Sequence, residues 1–140
     1  FNFLTRKGDA LFHLNNQLEI VNQVPAGIHG LCNASLNTSW PKLDHLKRRF
    51  KASIDKKFDK EALLDLMLDK QLAEEEWLPE TGITREMERA LSSIFIDLPT
   101  YGTRSTTLIT IDNHGVADLT EITHHPKQTG NRKHFNFKIL

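Results

Sequence analysis

The hydrophobic period of this chain changes twice, and that change restricts the fold more than any other feature. Apolar residues recur at every second position near both ends and at every third and fourth position in the middle. Side chains alternate across a strand and return to one face of a helix about every 3.6 residues. The two patterns therefore belong to different elements. In the first third, Phe1 and Phe3 alternate with polar neighbours, and Lys7-Gly8-Asp9 suits a hairpin turn. Ala10 to Leu14 reads as the return strand, closed by Asn15-Asn16. Leu18, Ile20, Asn22 and Val24 share one face of a third strand. After a turn at Pro25 to Gly27, Ile28 to Asn33 reads as a fourth strand.

In the middle, Pro41 suits a first helical position, and Leu43, Leu46, Phe50 and Ile54 mark one buried helix face. Asp59 is a good N-cap for a second helix carrying Leu63, Leu64, Met67, Leu68 and Leu72. Glu74 to Gly82 is a polar loop, and Thr84 caps a third helix with Met87, Leu91, Ile94 and Phe95 inward. Thr106 to Asp112 and Val116 to Ile122 flank the hairpin turn Asn113-His114-Gly115, and Phe135, Phe137 and Ile139 alternate in a last strand. Strands, then helices, then strands predict an α+β fold with antiparallel sheets. A helical layer covers one sheet face, and a second sheet is the natural partner for the other.

The 140 residues are read as a single domain over 1–140, large enough for a core. Lys and Arg number 18, as do Asp and Glu, so the formal net charge is zero. Basic residues crowd the first helix, from Lys47 to Lys60, while Glu74, Glu75 and Glu76 follow the second. Such segregation is simply explained by pairing between neighbouring helices, and nucleic acid is not an expected partner. No apolar run is long enough to span a bilayer. The one cysteine, Cys32, permits no internal disulfide and fits a reducing compartment. The seven histidines are read as surface residues. His124-His125 is their only close pair and makes a poor chelate, because neighbours on a strand point to opposite faces. No spacing matches a structural zinc site, so neither a metal nor a cofactor is expected. The chain starts at Phe1, inside a strand pattern, and is expected to be the rear part of a longer protein.

Two stretches carry a resemblance. One is Tyr101-Gly102-Thr103-Arg104-Ser105-Thr106-Thr107 running into Leu108 to Asp112. The other is Gly30-Leu31-Cys32-Asn33 followed by Asn37-Thr38-Ser39-Trp40-Pro41-Lys42-Leu43. With Phe1-Asn2-Phe3-Leu4, Leu78 to Ile83, Glu88 to Ile96 and Thr120-Glu121, they resemble the Asn-Arg-Asp-Glu (NRDE) family, which includes the transport and Golgi organisation 2 proteins. Ser39 stands where the family has proline, and Cys32 where serine is usual. The family's starting cysteine and its signature tetrad are absent from this sequence. The resemblance implies the C-terminal portion of an αββα sandwich of the N-terminal-nucleophile hydrolase type.

The resemblance also implies chemistry. A terminal cysteine outside these residues would attack an acyl carbon, with its own α-amine as base, while amide donors hold the oxyanion. Asn33 resembles the oxyanion asparagine of related amidases; the alternative is an Asx turn capping the loop toward Trp40. Arg104 could clamp a substrate carboxylate or settle charge beside the nucleophile; the alternative is a fork on backbone carbonyls. Gly102 before it suggests a position that tolerates no side chain. Trp40, Lys42 and Tyr101 are the candidate substrate-binding residues, although Trp40 could equally be core or a helix staple. Lys42 sits in a first helical turn, where a cation gains nothing from the helix dipole, so something else should hold it. Cys32 is read as packing, since an internal cysteine lacks the α-amine base.

Two functions follow. One is hydrolysis of a C–N amide bond in a small or lipid-like substrate. The other is a carrier or scaffold for a lipid-like or haem ligand, linked to organisation of the secretory pathway. The expected partners are that ligand and the missing N-terminal segment. The expected location is intracellular and cytoplasmic, with Golgi or mitochondrial association in a eukaryote.

Overall fold

A computed structural model describes residues 1–124 and 130–139; the His125-Pro126 dipeptide lies outside them. The α+β expectation holds. Strands β1 (Asn2–Lys7), β2 (Ala10–Asn15) and β3 (Ile20–Val24) form one antiparallel meander. Strands β4 (Ser105–Ile111), β5 (Val116–Thr123) and β6 (Asn131–Lys138) form a second. Between them lie α1 (Pro41–Lys56), α2 (Lys60–Leu66), a short 3₁₀ turn (Glu75–Trp77) and α3 (Arg85–Ala90).

Local chemistry explains the boundaries. Gly8, at φ +59°, closes the β1–β2 turn. The Asp112 carboxylate accepts the N–H groups of His114 and Val116 and so closes the β4–β5 turn, with Gly115 at φ +74°. Pro41 is the first residue of α1, and the Asp59 carboxylate accepts the Glu61 and Ala62 N–H groups at the start of α2.

The core forms where α2 packs against α1 and β4: Leu43, Leu63, Leu64 and Leu66 are buried, as are Thr106 and Thr120 of the second sheet. The helix-facing side of that sheet carries charge that ties it to α2. Lys60 reaches Asp118 at 2.7 Å, and Arg132 donates from Nη1 and Nη2 to the two carboxylate oxygens of Glu61. The opposite face bears Ile109, Ile111, Phe135 and Phe137, all exposed. Leu4, Leu11 and Val24 of the first sheet share an open gap of about 810 Å³ with Ile109 and Phe50.

Four expectations need correction. Ile28 to Asn33 is not a strand. Both backbone groups of Gly30 are taken by Asn37, the N–H by its side chain and the carbonyl by its N–H, so neither is left for a ladder. Only a single bridge, Leu31 to Leu36, remains. Helix α2 stops at Leu66, and Leu68 and Leu72 are exposed. Its last turn tightens into Met67-to-Leu64 and Leu68-to-Asp65 bonds, and the Asp69 carboxylate then turns the chain at Gln71. Helix α3 ends at Ala90, with Met87 exposed and Glu88 buried instead. The Ser92 and Ser93 hydroxyls donate to the Arg89 and Phe95 carbonyls and break the helical ladder. Finally, His13 is not on the surface: it is 1% exposed, inside a polar cluster on the first sheet.

The segregated charges also pair differently from expectation. Arg49 of α1 meets Asp69 just beyond α2, whereas Lys60 crosses to the sheet and Glu75 pairs with Arg89.

Candidate functional site

Four of the five residues singled out from the sequence border one cavity of about 220 Å³: Asn33, Trp40, Lys42 and Tyr101. They come from three separate places. Asn33 lies on the loop after β3, Trp40 and Lys42 at the start of α1, and Tyr101 on the loop before β4. Ile83, Leu91 and Ile96 give the cavity apolar walls, while Glu88 and Ser92 add polar groups.

Asn33 is exposed, and among the described residues only its backbone carbonyl is engaged, by the Asn2 amide at 3.5 Å. No Asx turn forms at Asn33 among the described residues; the loop is instead closed by Asn37 on Gly30. Asn37 Oδ1 accepts the Gly30 N–H at 3.1 Å, and the Asn37 backbone N–H returns to the Gly30 carbonyl at 2.7 Å. Asn37 takes a left-handed conformation, φ +59°, to do so. Asn33 borders the cavity with no side-chain hydrogen bond among the described residues.

Lys42 is held by the groups its position called for. Its Nζ donates to the Leu91 carbonyl at 2.7 Å and to the Ser93 carbonyl at 3.5 Å, and sits 5.8 Å from the centre of the Trp40 ring. The amine therefore fastens the start of α1 to the end of α3, where carbonyls lack helical partners. Burial pushes its pKa below the ordinary value, and the neighbouring Cys32 and Glu88 pull it back up. Trp40 occupies the N-cap position without a side-chain capping bond, so its ring is free to wall the cavity.

Glu88 had no place in the sequence-based site. Its carboxylate accepts the Thr81 hydroxyl and the Thr81 N–H, which hold its pKa below the usual range. The signal was the Thr81-to-Glu88 spacing, which puts an acceptor one α3 turn beyond the Thr84 cap. Ser92 also went unnoticed; its hydroxyl accepts the Ala73 N–H at 2.8 Å.

Gly102 behaves as expected. A methyl there would lie 2.8 Å from the Ile96 carbonyl oxygen, and the chain bridges Asp97 to Gly102 at this point. The close approach brings Tyr101 to the cavity rim. Arg104 is exposed at the edge of β4 and is not among the cavity's lining residues; its carbonyl accepts the His124 N–H at 2.8 Å. Cys32 lines a neighbouring cavity with Asn33, Trp40 and Lys42, and its thiol lies 3.6 Å from the Ser35 carbonyl.

A larger, open cavity of about 480 Å³ lies beyond Lys42 and Ser92. Within its lining, Asp69 meets His45 at 3.1 Å and also reaches Arg49 of α1, while Asp44 accepts the Ser39 hydroxyl at 2.5 Å. The Gln71 N–H first, then His45 and Arg49, lower the Asp69 pKa against the cost of burial. Among the described residues, no group of three or more His, Cys, Asp and Glu is placed to hold a metal ion. No described helix is long and apolar enough to cross a membrane.

Comparison with known proteins gives a consistent result. The family model described as Transport and Golgi organisation 2 matches residues 1–126. The human protein named Transport and Golgi organization protein 2 homolog is 32% identical over 129 residues, covering 84% of this chain and 46% of its own length. The mouse homolog is 32% identical over 127 residues with the same coverage. The bovine homolog is 33% identical over 125 residues, covering 82% of this chain and 45% of its own. The chain thus spans about half the length of the curated relatives it matches.

Proposed function

The chain belongs to the transport and Golgi organisation 2 family, and from that premise we propose that it supplies part of the binding and oxyanion machinery of an N-terminal-nucleophile amidase. In this reading the fold is part of an αββα sandwich, and the nucleophile is a cysteine thiolate outside these 140 residues. The thiolate attacks the carbonyl carbon of an amide, and the Asn33 side-chain amide donates to the oxyanion. The apolar walls around Trp40 and Tyr101 take the acyl part of a small or lipid-like substrate. Lys42 holds the walls together, and Arg104, from the loop that carries Tyr101, orients the nucleophile or a substrate carboxylate.

One observation supports the reading: Asn33 lines the cavity bordered by Trp40, Lys42 and Tyr101, and among the described residues its side-chain amide makes no hydrogen bond. Asn33→Ala in the full protein should lower turnover of a panel of acyl p-nitroanilides by about two to three orders of magnitude. An unchanged rate removes Asn33 from this role. Alkylation of the terminal thiol should abolish turnover.

The apolar character of Ile83, Leu91 and Ile96 favours a second reading, a carrier that holds a lipid-like or haem ligand without cutting it. Saturable binding that survives loss of the terminal cysteine, with no product formed, would select it. An intracellular location with Golgi or mitochondrial association belongs to both readings.

A further inference from the structure

Asn2, His13 and Asn15 share one face of the first sheet, because Asn2 pairs directly with Asn15 and His13 lies two residues back along β2. His13 and Asn15 are among the most buried residues of the chain, at 1% and 3% exposure. Buried polar side chains are costly unless every donor and acceptor is used, so the direction of each bond can be worked out from the backbone.

The sequence of constraints begins at a turn. The Gln17 and Leu18 N–H groups both donate to Asn15 Oδ1, each at 2.9 Å. That fixes the Asn15 amide, so its Nδ2 must donate: to Asn2 Oδ1 at 2.8 Å and to the Ala34 carbonyl at 2.9 Å. Asn2 Oδ1 is therefore an acceptor, and His13 Nε2, 2.9 Å from the same oxygen, must carry a hydrogen. With its oxygen occupied by two donors, Asn2 turns Nδ2 the other way. There it meets the carbonyls of Cys32 at 3.3 Å and of Asn33 and Ala34 at 3.5 Å. The loop that presents Asn33 is wrapped around a single amide group whose direction is set 13 residues away along the chain.

We infer that Asn2, locked by His13 and Asn15, is the positioning residue that holds the Cys32-Asn33-Ala34 loop and so aims the Asn33 amide into the cavity. None of the three touches the cavity, so they act through the loop backbone alone. The inference rests on the role proposed for Asn33, but its physical content is the direction of the bonds, and that can be measured separately.

The test uses the full protein and three readouts. Long-range proton–nitrogen correlation on the imidazole of His13 should show the proton on Nε2; a proton on Nδ1 alone would make Nε2 an acceptor, which Asn2 Oδ1 cannot serve, and overturns the inference. Asn2→Asp keeps the acceptor for His13 and Asn15 but removes the donor that faces the three carbonyls. Amides in residues 31–37 should then exchange at least about tenfold faster, while those in the β4–β5 ladder keep their rates. Unchanged exchange in 31–37 overturns the inference. His13→Gln, which keeps a donor near the Nε2 position, should preserve slow exchange, whereas His13→Leu should not. On acyl p-nitroanilides, Asn2→Asp should lower kcat with KM little changed, and it should add little to Asn33→Ala. If Asn33→Ala leaves turnover intact, the amidase reading fails, while the exchange and tautomer results still decide the inference.

Discussion

Gly30 and Leu43 should be energetically coupled across the start of α1, and the size of the coupling can be worked out from their contact. A methyl group on Gly30 would lie 2.5 Å from Leu43 Cδ1, 2.7 Å from Cγ and 3.0 Å from Cδ2. Carbon atoms prefer about 3.5–4.0 Å, so Leu43 would have to move by roughly an ångström. Leu43 is only 8% exposed and sits one residue from Lys42, whose amine is tied to the end of α3. Room for the methyl must therefore come from a strained rotamer or a shift of the first helical turn. Gly30→Ala should destabilise the fold by about 1–3 kcal/mol, slightly offset by lower entropy of the unfolded chain. Leu43→Ala alone should cost about 2–5 kcal/mol through lost burial and the space left behind. In the double variant, the new methyl occupies part of that space. The double loss should then fall short of the summed single losses by about 0.5–3 kcal/mol. Urea unfolding of the four proteins at equal m-values measures the cycle. Additivity within about 0.5 kcal/mol would refute the close approach of Gly30 and Leu43.

Two further predictions concern charge and exposed surface. The Lys60 ammonium, and then His134, hold the Asp118 carboxyl down from 3.8 to about 2. A depressed carboxyl stabilises the fold fully above its unfolded pKa and loses that contribution as pH falls through its folded value. Stability from the Lys60–Asp118 link should thus decline between about pH 4 and pH 2, and Asp118→Asn should flatten this part of the urea-midpoint profile; an unchanged profile refutes the link. The exposed apolar face formed by Ile109, Ile111, Phe135 and Phe137 should make residues 1–140, expressed alone, self-associate in light scattering. Ile109→Lys with Phe135→Lys should reduce the effect, and a monodisperse unmodified monomer would refute it.

The hairpins were readable because their instructions are local. Lys7-Gly8-Asp9 and the Asp112 to Gly115 turn each carry a glycine at positive φ, and the flanking residues alternate in register. The N-caps of α2 and α3 were readable for the same reason, since Asp59 and Thr84 accept bonds from residues two or three positions on. Grouping Asn33, Trp40, Lys42 and Tyr101 required the family resemblance, because nothing local links residue 33 to residue 101.

What the sequence determined by itself is the α+β order of elements, their turns and most of their starts, because periodicity, caps and glycine conformations act within a few residues. Tertiary structure decided where those elements stop and what the polar residues do. The Ile28 to Asn33 run looks like a strand until Asn37 takes both backbone groups of Gly30. Met87 looks inward until Glu88 finds Thr81. Asn2, His13 and Asn15 read as three unremarkable polar residues in a strand pair, yet they form a buried cluster around which the Asn33 loop closes. Each of these outcomes depends on a donor, an acceptor or a filled volume supplied from a distant part of the chain. Local patterns encode no such partner.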